Sequence, residues 1–293
     1  MAAGPRGDPM KAPDFGYVRP STLAECLATL NEYGDEAQVL AGGQSLMPLM
    51  NFRLAKPGIL VDIGGLPELA TTRWETDHVV IGALTTHDTI ATSDTIREQI
   101  PLLSDAAPHV AHVAIRSRGT IGGSIALADP AAEWPACCLA LSAEIELASL
   151  RGGRRVPADE FFLGLYSTDR QADELVTGIR FPMLDDRRAH TFDEVSRRRG
   201  DFAIAGLALS CDLVGPKFKD IRVALLGVGD RPVLARGAMS VLEDAEPSDA
   251  TTETAIEALS AELRPPDDPM YPPDYRRQVA CVLLRRALNK LMG

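Results

Sequence analysis

The sequence predicts an α+β protein built in two parts, on three observations. Up to Phe181, short aliphatic runs alternate with amphipathic segments, the pattern of strands interleaved with helices rather than of a helical bundle. Beyond Arg188, three strand-like runs (191–197, 203–214 and 221–228) follow one another, and everything after them reads as helix. The polar, turn-like stretch 183–188 separates the two parts. The expected division is a flexible leader at 1–9, a first domain of two subdomains at 10–185, and a C-terminal domain at 186–293 in which a three-stranded antiparallel sheet is backed by helices.

In chain order, the leader lacks the apolar core of a signal peptide. Residues 21–33 make an amphipathic helix: Leu23, Leu27 and Leu30 share a face, Thr22 and Glu25 stand at capping-box spacing, and Gly34 stops it. Residues 39–41, 59–63 and 78–83 are short buried strands, and helical pieces alternate with polar turns over 85–108. Asp129-Pro130 has the form of a helix start, with a further helix running from Pro135 through Cys137, Leu139 and Leu141. Residues 143–149 and 154–157, joined by Gly152-Gly153, read as a hairpin, and 174–181 as a strand stopped by Pro182. In the last part 232–242, 252–263 and 273–291 are helical, the final one preceded by a stiff proline-rich connector.

A chain of 293 residues with 45% hydrophobic side chains can bury a sizeable core. Its net charge of −11 argues against a nucleic-acid partner, which needs clustered Lys and Arg. Five cysteines, Cys26, Cys137, Cys138, Cys211 and Cys281, show no CxxC spacing. That points to buried thiols in a reducing cytoplasm rather than to disulfides, zinc or an iron–sulfur cluster. No apolar run approaches the ~20 residues of a membrane span.

Two glycine-rich stretches stand out. One is Leu40-Ala41-Gly42-Gly43-Gln44-Ser45-Leu46-Met47-Pro48, in which Ser45 is placed to cap a short helix and leave its first amides free. The other runs Arg116-Ser117-Arg118-Gly119-Thr120-Ile121-Gly122-Gly123-Ser124, where three glycines in five residues allow peptide N–H groups to converge on an anion and Thr120 and Ser124 add hydroxyls. Two such cradles in one chain suggest a diphosphate held between them. There is no GxGxxG opening a helix and no GxxxxGK[ST], so neither a Rossmann nor a P-loop nucleotide site is indicated. Ser45 and Ser124 lack the GxSxG elbow and a His partner, which leaves them as phosphate or ribose donors. His109 and His112 are spaced for one helical face but have no companion ligands in sequence, so no metal site is assigned. Asp129 and Glu133, four apart, would share a helical face. Capping accounts for the first, and a ribityl or ribose hydroxyl for the second.

These two stretches, together with Ser196-Arg197-Arg198-Arg199-Gly200-Asp201-Phe202-Ala203, resemble the FAD-binding subunit of the molybdenum hydroxylases, the xanthine dehydrogenase and aerobic carbon monoxide dehydrogenase family. The resemblance spans nearly the whole chain from Lys11. It implies a PCMH-type FAD-binding first domain and a C-terminal domain like that of the carbon monoxide dehydrogenase flavoproteins. It also implies cofactor contacts residue by residue. Ala41, Gly42, Gly43, Gln44, Ser45, Leu46 and Met47 match the first diphosphate loop, and Thr120, Ile121, Gly122, Gly123 and Ser124 the second. Glu133, Val176 and Asp201 match further flavin contacts, and Phe202 an aromatic that stacks on the isoalloxazine. Gln44 stands where the carbon monoxide enzymes have His, and Ser124 where many members have Asn. Asp193 replaces a Lys found in several, a reversal of charge that keeps it out of the expected site.

By the same resemblance the chain carries no catalytic residue of its own. It would be the FAD-bearing, electron-transferring subunit of an oxidoreductase, with a large molybdenum-cofactor subunit and a small [2Fe-2S] subunit as partners, in a dimer of heterotrimers. A self-sufficient flavin oxidoreductase and a subunit that has lost its flavin are the alternatives.

Overall fold

The computed structural model describes residues 11–183 and 188–292. The expected leader at 1–9 and residues 184–187 of the expected boundary lie outside the described residues.

The chain opens with strand β1 (Gly16–Val18), helix α1 (Leu23–Tyr33), β2 (Ala37–Leu40), helix α2 (Leu46–Asn51) and β3 (Ile59–Asp62). The three strands form a parallel sheet in the order β1-β3-β2. Cys26, Leu27 and Leu30 of α1 pack on Val61 and Ile63, the expected apolar stripe against a buried strand. Thr22 caps α1 by accepting from the Glu25 N–H at 3.2 Å, but the Glu25 carboxylate turns to the N–H and hydroxyl of Ser21, both at 2.8 Å. The capping box is thus displaced by one residue.

Next come β4 (Thr72–Trp74), β5 (His78–Gly82), short helices α3 (His87–Thr92), α4 (Asp94–Gln99), α5 (Pro101–Ala106) and α6 (Val113–Arg116), then α7 (Ile121–Leu127) and α8 (Glu133–Ala140). They are followed by β6 (Glu144–Ser149), β7 (Gly152–Pro157), α9 (Ala158–Phe161), β8 (Phe162–Gly164), β9 (Ser167–Thr168) and β10 (Leu175–Pro182). An antiparallel five-stranded sheet results, ordered β4-β5-β10-β6-β7. The hairpin turns at Leu150-Arg151 and not at Gly152-Gly153, which lie inside β7. Gly152 leaves that turn with φ +120°, a conformation that favours glycine.

Asp129-Pro130 does not start a helix. Asp129 Oδ1 accepts from the Ala131 N–H at 2.9 Å, and the Pro130 carbonyl accepts from Gly227 N–H at 2.8 Å. That long-range bond holds the segment as a turn, and α8 begins at Glu133 with Pro135 in its first turn, where a missing N–H does no harm. Asp129 and Glu133 therefore do not share a helical face.

The remaining elements are β11 (Ala189–Ser196), β12 (Ala203–Val214), β13 (Lys217–Leu226), β14 (Val233–Leu234), α10 (Arg236–Leu242), α11 (Asp249–Glu262) and α12 (Pro273–Met292). The expected three-stranded antiparallel meander is present and is extended by two-residue β14, so α10 starts later than position 232. One face of this sheet packs on α10, α11 and α12. From the other, Phe192, Ala208, Ala224 and Leu226 join the core that residues between Val79 and Phe181 build. Every residue of α8 is buried, because the helix packs on β12 and β13 and is flanked by α5, α7 and α9 rather than lying on a surface. Four of the five cysteines are buried and Cys281 is half-buried, all as free thiols.

Candidate functional site

The two glycine-rich loops meet. A Cβ on Gly42 would lie 2.1 Å from the Arg118 carbonyl oxygen, so only glycine allows the backbones this close. Ala41 faces Gly123 across the gap, with its Cβ 3.9 Å from where a side chain at 123 would begin.

In the first loop, Gly43 takes φ +73° and its carbonyl accepts from Met47 N–H at 3.1 Å, while Gln44 Nε2 braces the turn on the Gly42 carbonyl at 3.1 Å. The Ser45 hydroxyl makes no capping bond, contrary to its expected role, because the loop enters α2 with Ser45 already in helical geometry. The consequence is a row of donors. Among the described residues, none accepts a hydrogen bond from the backbone N–H of Gly42, Gly43, Gln44, Ser45 or Leu46.

The second loop works differently from its sequence-based reading. The N–H groups of Ile121 and Gly122 go to the carbonyls of Thr85 and Ala83, that of Gly123 to Thr120 Oγ1 and that of Ser124 to the Thr120 carbonyl. They do not converge on an open space. The glycines divide the labour instead. A Cβ on Gly122 would strike Ala83 at 2.4 Å, and one on Gly119 would strike the His87 ring at 2.8 Å, whereas Gly123 faces the gap between the loops. What this loop brings beside Ala41 is Gly123, where a Cβ would also meet Thr120 Oγ1 at 3.0 Å, with the buried Thr120 and the Ser124 side chains flanking it.

His87, beneath Gly119, had no signal in the sequence. It is buried and its Nδ1 accepts from Trp134 Nε1–H at 2.9 Å. Burial, then the Arg116 guanidinium, pull its pKa from 6.5 down to about 4. The unfolded chain therefore takes up a proton as pH falls through 6.5, while the folded chain resists until about 4. The His87 contribution is complete above 6.5 and is lost on the way to 4. We expect the urea-unfolding midpoint to fall between pH 7 and 5 by a smaller margin in His87→Gln than in the unsubstituted protein; equal losses would show that His87 is not responsible.

Glu133 opens α8, buried, and its own backbone N–H donates to its carboxyl. Burial first, then the negative charge of Glu194 and more weakly that of Asp129, raise its pKa to about 8. Val176 is buried in β10, where the next residue, Thr177, accepts from the Ala83 N–H that backs Gly122. Asp201 and Phe202 adjoin the site indirectly. Gly200, at φ +86°, lays the loop on Ala111 and His112, the segment leading through α6 into Gly119. Phe202 is 73% exposed. Asp193 lies with Val195 on the other side of the sheet, its carboxylate 3.6 Å from Arg286 of α12. Tyr166, at φ +51° and with its hydroxyl 3.3 Å from Asp129 Oδ2, is a further residue that no sequence pattern singled out. His109 and His112 precede α6 rather than sharing a helical face.

A family model described as the FAD binding domain in molybdopterin dehydrogenase matches residues 13–184, and one described as the CO dehydrogenase flavoprotein C-terminal domain matches residues 190–291. The chain is 39% identical to the 6-hydroxypseudooxynicotine dehydrogenase complex subunit alpha of Paenarthrobacter nicotinovorans, over 97% of this chain and 96% of the relative. It is 36% identical to the carbon monoxide dehydrogenase medium chain of Hydrogenophaga pseudoflava, over 96% and 98% respectively. A solved structure of carbon monoxide dehydrogenase from that organism, lacking the Mo-pyranopterin moiety of its cofactor, superimposes with a TM-score of 0.92 at 36% identity, over 95% of this chain and 97% of that one.

Proposed function

Because the chain belongs to the FAD-binding family of the molybdopterin dehydrogenases, followed by the C-terminal domain of the CO dehydrogenase flavoproteins, we propose that it is the electron-transfer subunit of a three-subunit molybdenum hydroxylase. It is an oxidoreductase subunit of the medium-chain type.

One observation carries the cofactor assignment. Among the described residues, five consecutive peptide N–H groups, Gly42 to Leu46, are without partners, in a loop whose Ala41 lies 3.9 Å from where a side chain at Gly123 would begin. Unpaired donors in a glycine loop suit an anion, and FAD brings a diphosphate. In this reading residues 41–47 hold that diphosphate together with the Thr120 and Ser124 hydroxyls. Ile121 and Gly122 fix the second loop in place, and Gly123 leaves room. Glu133 accepts from a ribityl or ribose hydroxyl, and Val176, Asp201 and Phe202 border the ring system. FAD supplies the capacity to take electrons and pass them on, while the chain binds, orients and tunes it. The boundary near 183–188 then separates the cofactor-holding domain from the C-terminal one. A large molybdenum-cofactor subunit and a small [2Fe-2S] subunit, arranged as a dimer of heterotrimers, would take electrons from substrate and deliver them here for an external acceptor. Among the described residues no helix is long and apolar enough to cross a membrane.

Neither glycine loop contains a Cys or His to which a flavin could be linked, so acid denaturation of the purified chain is expected to release intact FAD, about one per chain. Flavin left on the precipitate, or a colourless protein, would overturn the assignment. Co-purification from the native host should bring down partners containing molybdenum and iron–sulfur clusters; substrate turnover by the chain alone would favour a self-sufficient flavin enzyme.

A further inference from the structure

We propose that a cavity of about 560 Å³, between the two regions that the family models match, is a ligand site for an organic carboxylate with an aromatic body, whose anionic end binds Arg264 and Arg236. The proposal goes beyond the flavin reading above and does not depend on it.

One wall of the cavity comes from Leu139 of α8, Ala158 and Asp159 of α9 and Phe162 of β8. The other comes from the loop 228–234, the start of α10 and the end of α11 with the residues just after it. A volume of this size suits a small-molecule site, in which apolar walls carry a few placed polar groups. Here the buried Leu139, Phe162, Val228 and Leu263 supply the apolar surface. Two arginines tie the walls together. Arg231 Nη1 donates to the carbonyls of Leu163 at 2.9 Å and Phe162 at 3.3 Å, and Arg222 donates to the Leu139 carbonyl at 2.7 Å and to Asp159 Oδ1 at 2.6 Å. The walls are thus fixed before a ligand arrives, which lowers the ordering cost of binding.

The charges in the wall decide the kind of ligand. Glu262 accepts from the Gly237 N–H at 2.9 Å at the start of α10, so its carboxylate is committed. Asp159 is held by Arg222 and stands 3.6 Å from Arg236 as well, so one negative charge serves two guanidiniums. Arg264 donates through Nη1 to the carbonyls of Ala261 at 2.6 Å and Leu263 at 2.8 Å, and among the described residues no carboxylate pairs with it. Carbonyl partners use up donors without cancelling charge. Arg264 and Arg236 therefore both line the cavity with positive charge to spare, and a guanidinium receives a carboxylate through two parallel N–H bonds. Asp230 is the remaining acid. It has no partner among the described residues and lies 3.6 Å from where a side chain at Gly164 would begin, on the Phe162 side. A second anionic group is disfavoured there, and a hydroxyl donor is favoured. The occupant these walls select is a monoanion, with its carboxylate at Arg264 and Arg236, a ring against the apolar surface and a phenolic hydroxyl toward Asp230.

The test is calorimetric titration of the full chain with 6-hydroxy-2-naphthoate. The dissociation constant is expected at about a millimolar or tighter, the strength that ordinary ligand efficiency gives a probe of this size. Arg264→Gln should weaken binding about tenfold or more, Arg264→Lys should fall between the two, and Arg236→Gln should weaken it about threefold. Acetate, an anion without the ring, and the amide of the probe, a ring without the charge, should each bind at least tenfold more weakly than the probe. No heat from the probe with the unsubstituted chain would overturn the proposal. Equal affinity for the probe and its amide would do the same, since the cavity would then be an apolar crevice that reads no charge. So would unchanged affinity in both glutamine variants, which would put the probe elsewhere. Should Arg264→Gln lose its far-ultraviolet circular dichroism, Arg236→Gln decides alone, because that side chain is 72% exposed and makes no hydrogen bond among the described residues.

Discussion

Gly123→Asp is expected to yield a folded protein without flavin, with affinity for FAD lowered by about a hundredfold or more, equivalent to roughly 3 kcal/mol. Position 123 is less tightly enclosed than Gly42, Gly122 and Gly119, where a Cβ would come within 2.1, 2.4 and 2.8 Å of a neighbour. A Cβ there meets Thr120 Oγ1 at 3.0 Å and Ala41 Cβ at 3.9 Å, with the cradle gap beyond. An aspartate in the first turn of α7 interacts favourably with the helix dipole, so folding should not suffer. Its carboxylate would, however, enter the region beside Ala41 and, in the proposed reading, compete with an anion held by the N–H groups of Gly42 to Leu46. Flavin absorbance per chain, with the urea-unfolding midpoint as a control, checks both halves. A folded variant with full flavin content would show that the diphosphate lies elsewhere.

The neighbouring glycine sharpens the test. Gly122→Ala drives a methyl to 2.4 Å from Ala83 Cβ and 2.7 Å from its carbonyl oxygen, and backbone on that side cannot yield cheaply. This variant should therefore lose stability first and flavin only as a consequence. The order of effects at two adjacent residues separates a binding surface from a packing surface.

That division also marks where sequence reasoning stopped. The first loop could be read from its residues because a local pattern, a glycine pair followed by a polar residue and a short helix, produces unpaired donors without help from elsewhere. In the second loop the same composition arises for another reason. Gly119 and Gly122 are small to accommodate His87 and Ala83, residues far away in the chain whose approach leaves no periodic trace. Asp129-Pro130 illustrates the same limit, because its helix-start signal is local and the Gly227 N–H that overrides it belongs to the other domain. The strands of the C-terminal sheet were readable because β12 is apolar on both faces. Glu194, by contrast, looks in sequence like an ordinary outward-facing residue of a strand, and only the packing of α5 and α8 over that face buries it.

Arg276→Met should lower stability by about 2–4 kcal/mol and weaken flavin retention with it. Arg276, on α12, is 9% exposed and donates through Nη1 to the carbonyls of Ile204 at 2.6 Å and Gly227 at 2.8 Å. Its Nη2 reaches Asp268 at 2.7 Å, and the guanidinium lies 5.6 Å from the Tyr271 ring centroid. Methionine matches much of the volume but leaves two carbonyls without a donor in a buried setting, and each such loss costs about 1–3 kcal/mol. The site should respond because of where those carbonyls lie. Ile204 follows the Phe202 loop by two residues, and the Gly227 N–H holds Pro130, between Asp129 and Glu133. One guanidinium thus ties the C-terminal helix to both segments that border the proposed ring-binding region. Arg276→Lys can reach only part of the fork geometry and should fall between the two. The measurement is the urea midpoint of the first unfolding transition together with the FAD dissociation constant. A methionine variant unchanged in both would show that the junction holds without this clamp, whereas lost stability with unaltered flavin affinity would confine Arg276 to the C-terminal domain.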